Sequence, residues 1–192
     1  MDEILGITQK QFAEPLPIPP ESFVFRQANK TILDKEGRYP KATHFIPDED
    51  GLSVHWDNFI TVEEVFHIIG LSYKFAKEEF KDPTHFHVFK FPVYFLLSIE
   101  GITQVIHSPV FNGNPAPVGM PNNYAHSSIC YGQDEEIRLK LSAYCNEEHE
   151  VAYCKVQDFE LLEKEVEALR LRLNETKYHR CLPDNESIPI VE

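Results

Sequence analysis

Pro121-Asn122-Asn123-Tyr124-Ala125-His126-Ser127-Ser128-Ile129-Cys130-Tyr131 joins a loop rich in Asn, Gly and Pro to a short apolar run. The run reads as a strand, and one histidine, His126, stands where loop meets strand. A rigid element can aim a side chain out of a loop, so binding and catalytic groups gather at such junctions. Just upstream, Ser108 to Asn123 contains Gly113, Pro115, Pro117, Gly119 and Pro121 and has no apolar period. Roughly 15 residues without structure is long enough to suggest a working loop, such as a lid over a site.

Working outward from this junction, Ile102 to His107 reads as the preceding strand. Leu52-Ser53-Val54-His55-Trp56 alternates apolar and polar residues and reads as another. Ser22 to Gln27 is the expected first strand. Ala42-Thr43-His44-Phe45-Ile46 is the expected second, closed by the turn Pro47-Asp48-Glu49-Asp50-Gly51. Thr61-Val62-Glu63-Glu64 has the form of a capping box and starts a helix through Ile69, with Gly70 as its stop. Ser72 to Phe80 carries Tyr73, Ala76 and Phe80 at helical spacing and is expected to be a second helix. Tyr94 to Ile99 is read as a strand. A helix after Gly132 would bury Ile137, Leu141 and Tyr144 on one face. Val151 to Val156 reads as a last strand.

These elements predict an α+β class: a single mixed or antiparallel sheet with flanking helices and a C-terminal coiled-coil-like helix. Residues 1–20 form a Pro-rich arm, 21–156 the core domain, 157–180 an amphipathic helix, and 181–192 a disordered tail. In the helix, Phe159, Leu162, Val166, Leu169 and Leu173 recur at alternating spacings of three and four, which is an a/d seam for self-association.

The 192 residues hold 18 basic and 31 acidic side chains, a net charge of −13. That field repels phosphate backbones and argues against a general nucleic-acid binder. It allows an acidic inhibitor that imitates nucleic acid. No Cys-x-x-Cys pair joins the cysteines, no secretory signal opens the chain, and no apolar run is long enough for a bilayer. The expected setting is cytoplasmic, without membrane association.

Three sets of residues invite chemistry. Arg26, Ser53 and His126 combine a guanidinium, a hydroxyl and an imidazole. Their bland counterparts are an Arg paired with a carboxylate, a satisfied strand hydroxyl and a loop cap. His85 and His87 would share one face of a strand, a spacing that can hold a divalent metal. His107 or His126 could supply a third ligand, though no spacing indicates it; alternatively, a pair of histidines could do acid–base work on RNA. Cys130 beside His126 is a conceivable nucleophile, although a cysteine in an apolar strand is usually inert packing. No phosphate loop, Gly-x-Ser-x-Gly elbow or His-Glu-x-x-His is present, and no cofactor is indicated.

Phe25-Arg26, then Leu52-Ser53-Val54, then Tyr124-Ala125-His126 with Ile129, form a pattern over about residues 20–145. It resembles a loose group of short uncharacterised bacterial proteins and implies no activity, though a bacterial or phage conflict system would be a natural setting. The same residues are similar to those of ADP-ribosyltransferase-like folds, where an early Arg or His grips the dinucleotide and a Ser fixes its ribose. That likeness implies Arg26 and Ser53 as dinucleotide contacts. The late catalytic Glu of those folds has no counterpart here, and His126, Glu135 or Glu136 would have to serve. The leading expectation is a small acidic interaction protein, a homo-oligomer working with a protein partner. The alternative is a small enzyme acting on a nucleotide or RNA through Arg26 and His126.

Overall fold

The alternation of Leu52 to Trp56 builds the strand at the centre of the sheet. The computed structural model describes residues 15–29, 40–74, 79–110, 112, 119–120, 122–123, 125–146 and 151–153. Its strands are β1 (Leu16–Pro17), β2 (Phe23–Asn29), β3 (Leu52–Trp56), β4 (Tyr73–Lys74), β5 (Glu79–Phe80), β6 (Phe86–Pro92), β7 (Gln104–His107), β8 (His126–Cys130) and β9 (Val151–Tyr153). The helices are α1 (Val62–Leu71), α2 (Val93–Ser98) and α3 (Glu135–Asn146).

Among the described residues, seven strands form one sheet in the order β1-β7-β8-β3-β2-β6-β9, and β4 and β5 make a separate ribbon. Every pairing is antiparallel. The α+β class therefore holds, with an antiparallel main sheet. The register of β3 on β8 pairs Leu52 with Ile129, Ser53 with Ser128, Val54 with Ser127 and His55 with His126. Directly opposed residues share a face, and faces alternate along each strand. Val24, Ala28, Leu52, Val54 and Ile129 thus pack one way, in a core completed by Val93 and Leu96 of α2 and Ile137, Leu141 and Cys145 of α3. Phe25 and Val88 face the other way, against Val65, Phe66, Ile68, Ile69 and Leu71 of α1. Helices cover both faces, so the central strands are buried on each side.

Local chemistry fixes the element ends. Thr61 accepts from the Glu64 N–H and Glu64 Oε2 accepts from the Thr61 N–H, which closes the expected capping box at α1. The helix continues one residue past Gly70 and is capped at Ser72. Before β3, Asp48 and Gly51 exchange both backbone hydrogen bonds. Gly51 has φ +101°, and a Cβ there would lie 2.7 Å from the Ile129 carbonyl oxygen. Glycine is required on both counts.

Several expectations differ from the structure. Ala42–Phe45 is a 3₁₀ turn, not a strand. Only Phe45 of that turn is buried, and among the described residues no strand pairs with it. The expected helix from Ser72 to Phe80 is replaced by the β4–β5 ribbon, with Tyr73 opposite Phe80. Tyr94 to Ile99 is not a strand: Val93–Ser98 is helical, following Pro92. In α3, Ile137, Leu141 and Cys145 are the buried residues, and Tyr144 is partly buried beside them. Within the Pro-rich arm, Leu16–Pro17 pairs with β7 as an edge strand, and residues 1–14 lie outside the described residues. The amphipathic segment 157–180 and the tail 181–192 also lie outside them. No helix among the described residues is long and apolar enough to cross a membrane.

Candidate functional site

Ser53 and His55 sit two apart on β3, so both point to the α1 side of the sheet. Opposite them on β8, Ser128 and His126 point the same way. His126 is one diagonal from Ser53, a separation that a long side chain spans. Its Nε2 lies 2.9 Å from Ser53 Oγ. The other ring nitrogen, Nδ1, lies 2.6 Å from the Ser108 carbonyl oxygen and 3.2 Å from Ser108 Oγ. A carbonyl only accepts, so Nδ1 carries the proton. Nε2 is then the acceptor, and the Ser53 hydroxyl donates to it. Ser108 Oγ also lies 3.0 Å from Ser128 Oγ.

Ser108 directly follows β7, and its N–H continues the ladder to the His126 carbonyl at 3.1 Å. The backbone thus brings the orienting carbonyl to the imidazole. His55 is held from the opposite end of the same connection: Asn123 Nδ2 lies 3.1 Å from His55 Nδ1. With Nδ1 accepting, the proton of His55 resides on Nε2.

Burial pushes the His55 imidazole down to about 3, with the field of His126 and then Arg26 adding to the shift and the Asn123 bond opposing it. Burial also lowers His126 below its ordinary value, against the Ser108 bond that favours its charged form. Both rings are neutral at neutral pH.

A cavity of about 320 Å³ opens over these groups. The sheet contributes Gln27, Ser53, His55 and His126 to its wall. The end of α1 contributes Ile68 and Ser72, the residue after β5 contributes Lys81, and the β7–β8 connection contributes Val110, Asn112, Gly119, Met120 and Asn123. Gln27 Oε1 and Asn123 Oδ1 are buried acceptors without a hydrogen-bond partner among the described residues. A second cavity of similar size, between α2 and α3, is lined by Phe95, Ser98, Ile99, Lys140, Ala143 and Tyr144 and has no comparable group of polar side chains.

Of the residues singled out in the sequence, the structure brings Ser53 and His126 together. Arg26 lies between Val24 and Ala28, so its side chain leaves the opposite face of the sheet. It reaches Ser53 only at the carbonyl oxygen, from Nη1 at 2.6 Å, and donates from Nη2 to the His44 carbonyl at 3.4 Å. Its burial lowers the guanidinium to about 10, against the fields of Tyr131 and Asp48. His44 Nε2 lies 2.9 Å from the Gln27 carbonyl oxygen and 3.2 Å from Arg26 Nε. One nitrogen cannot donate to the first and accept from the second, and the shorter contact assigns its proton to the carbonyl. On the same side, the Tyr131 hydroxyl donates to the Phe45 carbonyl.

His85 and His87 do not share a strand face. His85 ends a 3₁₀ turn, exposed and 3.7 Å from Asp82, whereas His87 is buried in β6. His107 stacks on Phe59 at 4.9 Å and meets Trp56 edge-on at 5.3 Å. Among the described residues, no three His, Cys, Asp or Glu side chains gather as a metal would require. Cys130 is half-buried with its thiol pushed up by desolvation, the reverse of an activated nucleophile. The interface residues Phe159, Leu162, Val166, Leu169 and Leu173 lie outside the described residues.

Sequence reasoning missed His55, Ser108, Asn123 and Lys81. The alternation of β3 was the available sign for His55, since it puts that ring beside Ser53. Nothing local marked the others, which enter the site through register and loop closure. Comparison with protein-family models, with curated proteins and with solved structures finds no match for the chain.

Proposed function

We propose that the chain is a small enzyme that hydrolyses or transfers an acyl group, with Ser53 as nucleophile and His126 as base. The observation that carries this reading is the Ser53 Oγ–His126 Nε2 contact of 2.9 Å on a cavity wall, with Nδ1 oriented by a carbonyl at 2.6 Å. Nucleophile, base and orienting group in that sequence are the elements of an activated hydroxyl.

In the reaction, Ser53 Oγ bonds to the acyl carbon as its proton passes to His126 Nε2. The bond from the acyl carbon to the leaving oxygen then breaks, and that oxygen takes the proton from Nε2. Water next gives a proton to Nε2 and attacks the acyl carbon. Ser53 Oγ leaves with that proton, and a carboxylic acid is released. His55, neutral and bearing its proton on Nε2, supplies a donor for the negative charge that develops on the carbonyl oxygen.

This reading draws more support than the two nucleotide-directed ones. Paired-histidine chemistry on RNA needs one charged imidazole as acid, and burial keeps both rings neutral. A dinucleotide grip needs a guanidinium in the cavity, and Arg26 extends from the other face. An interaction role through residues 157–180 is compatible with catalysis in the core domain.

A fluorophosphonate probe tests the proposal, with the adduct located by mass spectrometry of the digested protein. Wild type is expected to carry one adduct, on Ser53. Ser53→Ala should carry none, and folded His126→Ala should react about 100-fold more slowly. An unreactive wild type, or labelling that persists in Ser53→Ala, overturns the assignment.

A further inference from the structure

We infer that the hydroxyls of Ser108 and Ser128 form a relay behind His126, which steadies the ring when it receives the Ser53 proton, so that both serines are positioning residues. The inference rests on the acyl-transfer reading and adds what sets the strength of its base. The register of β7 on β8 pairs His107 with Ser127, and the Ser108 N–H continues it to the His126 carbonyl at 3.1 Å. Ser108 therefore stands opposite His126 on the same face of the sheet, with Ser128 one diagonal away. Ser128 is buried, and Ser53 pairs with it from β3.

The direction of each bond follows from the one atom that can only accept. His126 Nδ1 lies 2.6 Å from the Ser108 carbonyl oxygen, so it is a donor. Ser108 Oγ, 3.2 Å from the same nitrogen, is then its second acceptor. The Ser108 hydroxyl cannot point its own proton back at that N–H, and it donates to Ser128 Oγ at 3.0 Å. Ser53 donates to Nε2 at 2.9 Å. The bonds thus run one way, from Ser53 to His126, from His126 to Ser108 and from Ser108 to Ser128. Bonds aligned in this way polarise one another where the dielectric is low. When the Ser53 proton reaches Nε2, the bonds from Nδ1 become charge-assisted and strengthen. Ser108 and Ser128 keep their protons throughout. A more ordinary role for the two serines is a cross-strand pair that adds only stability. Such a pair would leave the basicity of the ring alone, whereas loss of the relay would lower it. The other groups that act on His126 are Arg26 and Asp50 through their fields, His55 opposite it on β3, and Lys81 on the same cavity wall. All four are present in every serine variant, so a difference among the variants reports on the hydroxyls.

The experiment uses the full chain as wild type, Ser108→Ala, Ser108→Thr, Ser128→Ala and the double variant of both alanine changes. Nitrogen NMR of the histidine rings reads the tautomer and the titration midpoint of His126, whose signals are assigned by their loss in His126→Gln. Neutral wild-type His126 is expected to carry its proton on Nδ1. Ser108→Ala should move the midpoint to lower pH, because an acceptor that favours the charged ring is gone. It should also slow fluorophosphonate labelling about tenfold. Ser108→Thr keeps a hydroxyl and should restore both in part. Ser128→Ala should move the midpoint the same way by less, and the double variant no further than Ser108→Ala alone. A proton on Nε2 in neutral wild type overturns the inference, and that measurement needs no variant to fold. Additive shifts, an unchanged midpoint, or a midpoint that rises toward the ordinary 6.5 also overturn it; the rise is what a loosened, wetter pocket produces. The ring titration does not depend on catalysis. A wild type that labels while Ser108→Ala leaves the midpoint in place sinks this inference alone, and a wild type that does not label sinks the acyl-transfer reading itself.

Discussion

Arg26 donates to the carbonyl oxygen of Ser53 at 2.6 Å from the face of the sheet opposite to the one that carries the Ser53 hydroxyl. One residue thus links two environments. Its side chain takes part in the proposed chemistry, while its main chain anchors a buried cation. The same cation holds the 3₁₀ turn through the His44 carbonyl, so Arg26 fastens β2, β3 and that turn together.

Replacing Arg26 by Met should therefore cost stability, not chemistry. Two bonds from a charged donor are lost and two carbonyls lose a partner, roughly 3 kcal/mol in all. Urea denaturation should show that loss. The molecules that remain folded should label with the fluorophosphonate at close to the wild-type rate. Full stability with abolished labelling would return Arg26 to the site.

The rate of labelling should follow the neutral form of His126. Burial holds its folded pKa below the ordinary 6.5, so the base is deprotonated at pH 7 and the rate should be flat from there upward to the limit of the probe. An acid limb is expected below pH 6.5 only. A profile that is still climbing between pH 7 and 8 contradicts a depressed imidazole.

Stability should fall in acid for a separate reason. His44 and His55 are each lowered from 6.5 to about 3, chiefly by burial. Below pH 6.5 the unfolded chain takes up protons that the folded chain refuses. The stability these rings contribute is full above pH 6.5 and is lost as pH falls toward 3. The limiting slope is about 1.4 kcal/mol per pH unit for each ring. Denaturant midpoints at pH 7, 6, 5 and 4 measure it. A constant midpoint across that range would mean that neither ring is held neutral.

Gly51→Ala should destabilise the core and the site together. The new Cβ would meet the Ile129 carbonyl at 2.7 Å on a backbone with φ +101°. Strain of this kind costs about 1–3 kcal/mol before the clash is counted. A fall in Tm of several degrees is the expected readout, and an unchanged Tm would count against the tight turn that leads into β3.

The parts of the fold that were legible in the sequence are those set by local chemistry. The capping box at Thr61 needs only four residues, and the alternation from Leu52 to Trp56 needs only five. The parts misread were short apolar runs whose period does not separate helix from strand. Val93 to Ser98 became a helix after Pro92, and the backbones of Tyr73 and Phe80 pair across a ribbon although their spacing also suits a helix. Ala42 to Phe45 has a strand-like composition, but the turn is held by Arg26 and by Phe45 entering the core, and neither tie is local. The site divides the same way. Ser53 and His126 stood out as residue types at suggestive places. Their pairing depends on a register, His55 opposite His126, that only the assembled sheet specifies.

The connection between β7 and β8 has a consequence for how this scaffold can change. Ser108, at its start, orients one imidazole, and Asn123, near its end, holds the other. Between these ends, Val110 and Asn123 exchange both backbone hydrogen bonds, at 2.9 and 2.8 Å. The two ends are therefore tied to each other below whatever chain runs between them. A change in the length of the chain between these two ties is therefore expected to leave the spacing of the two rings in place, because loop closure grows only slowly costlier with length. The ties that set the two rings thus stand outside the stretch that joins them. That separation makes this connection the natural place to insert foreign sequence while keeping the Ser53–His126 contact intact.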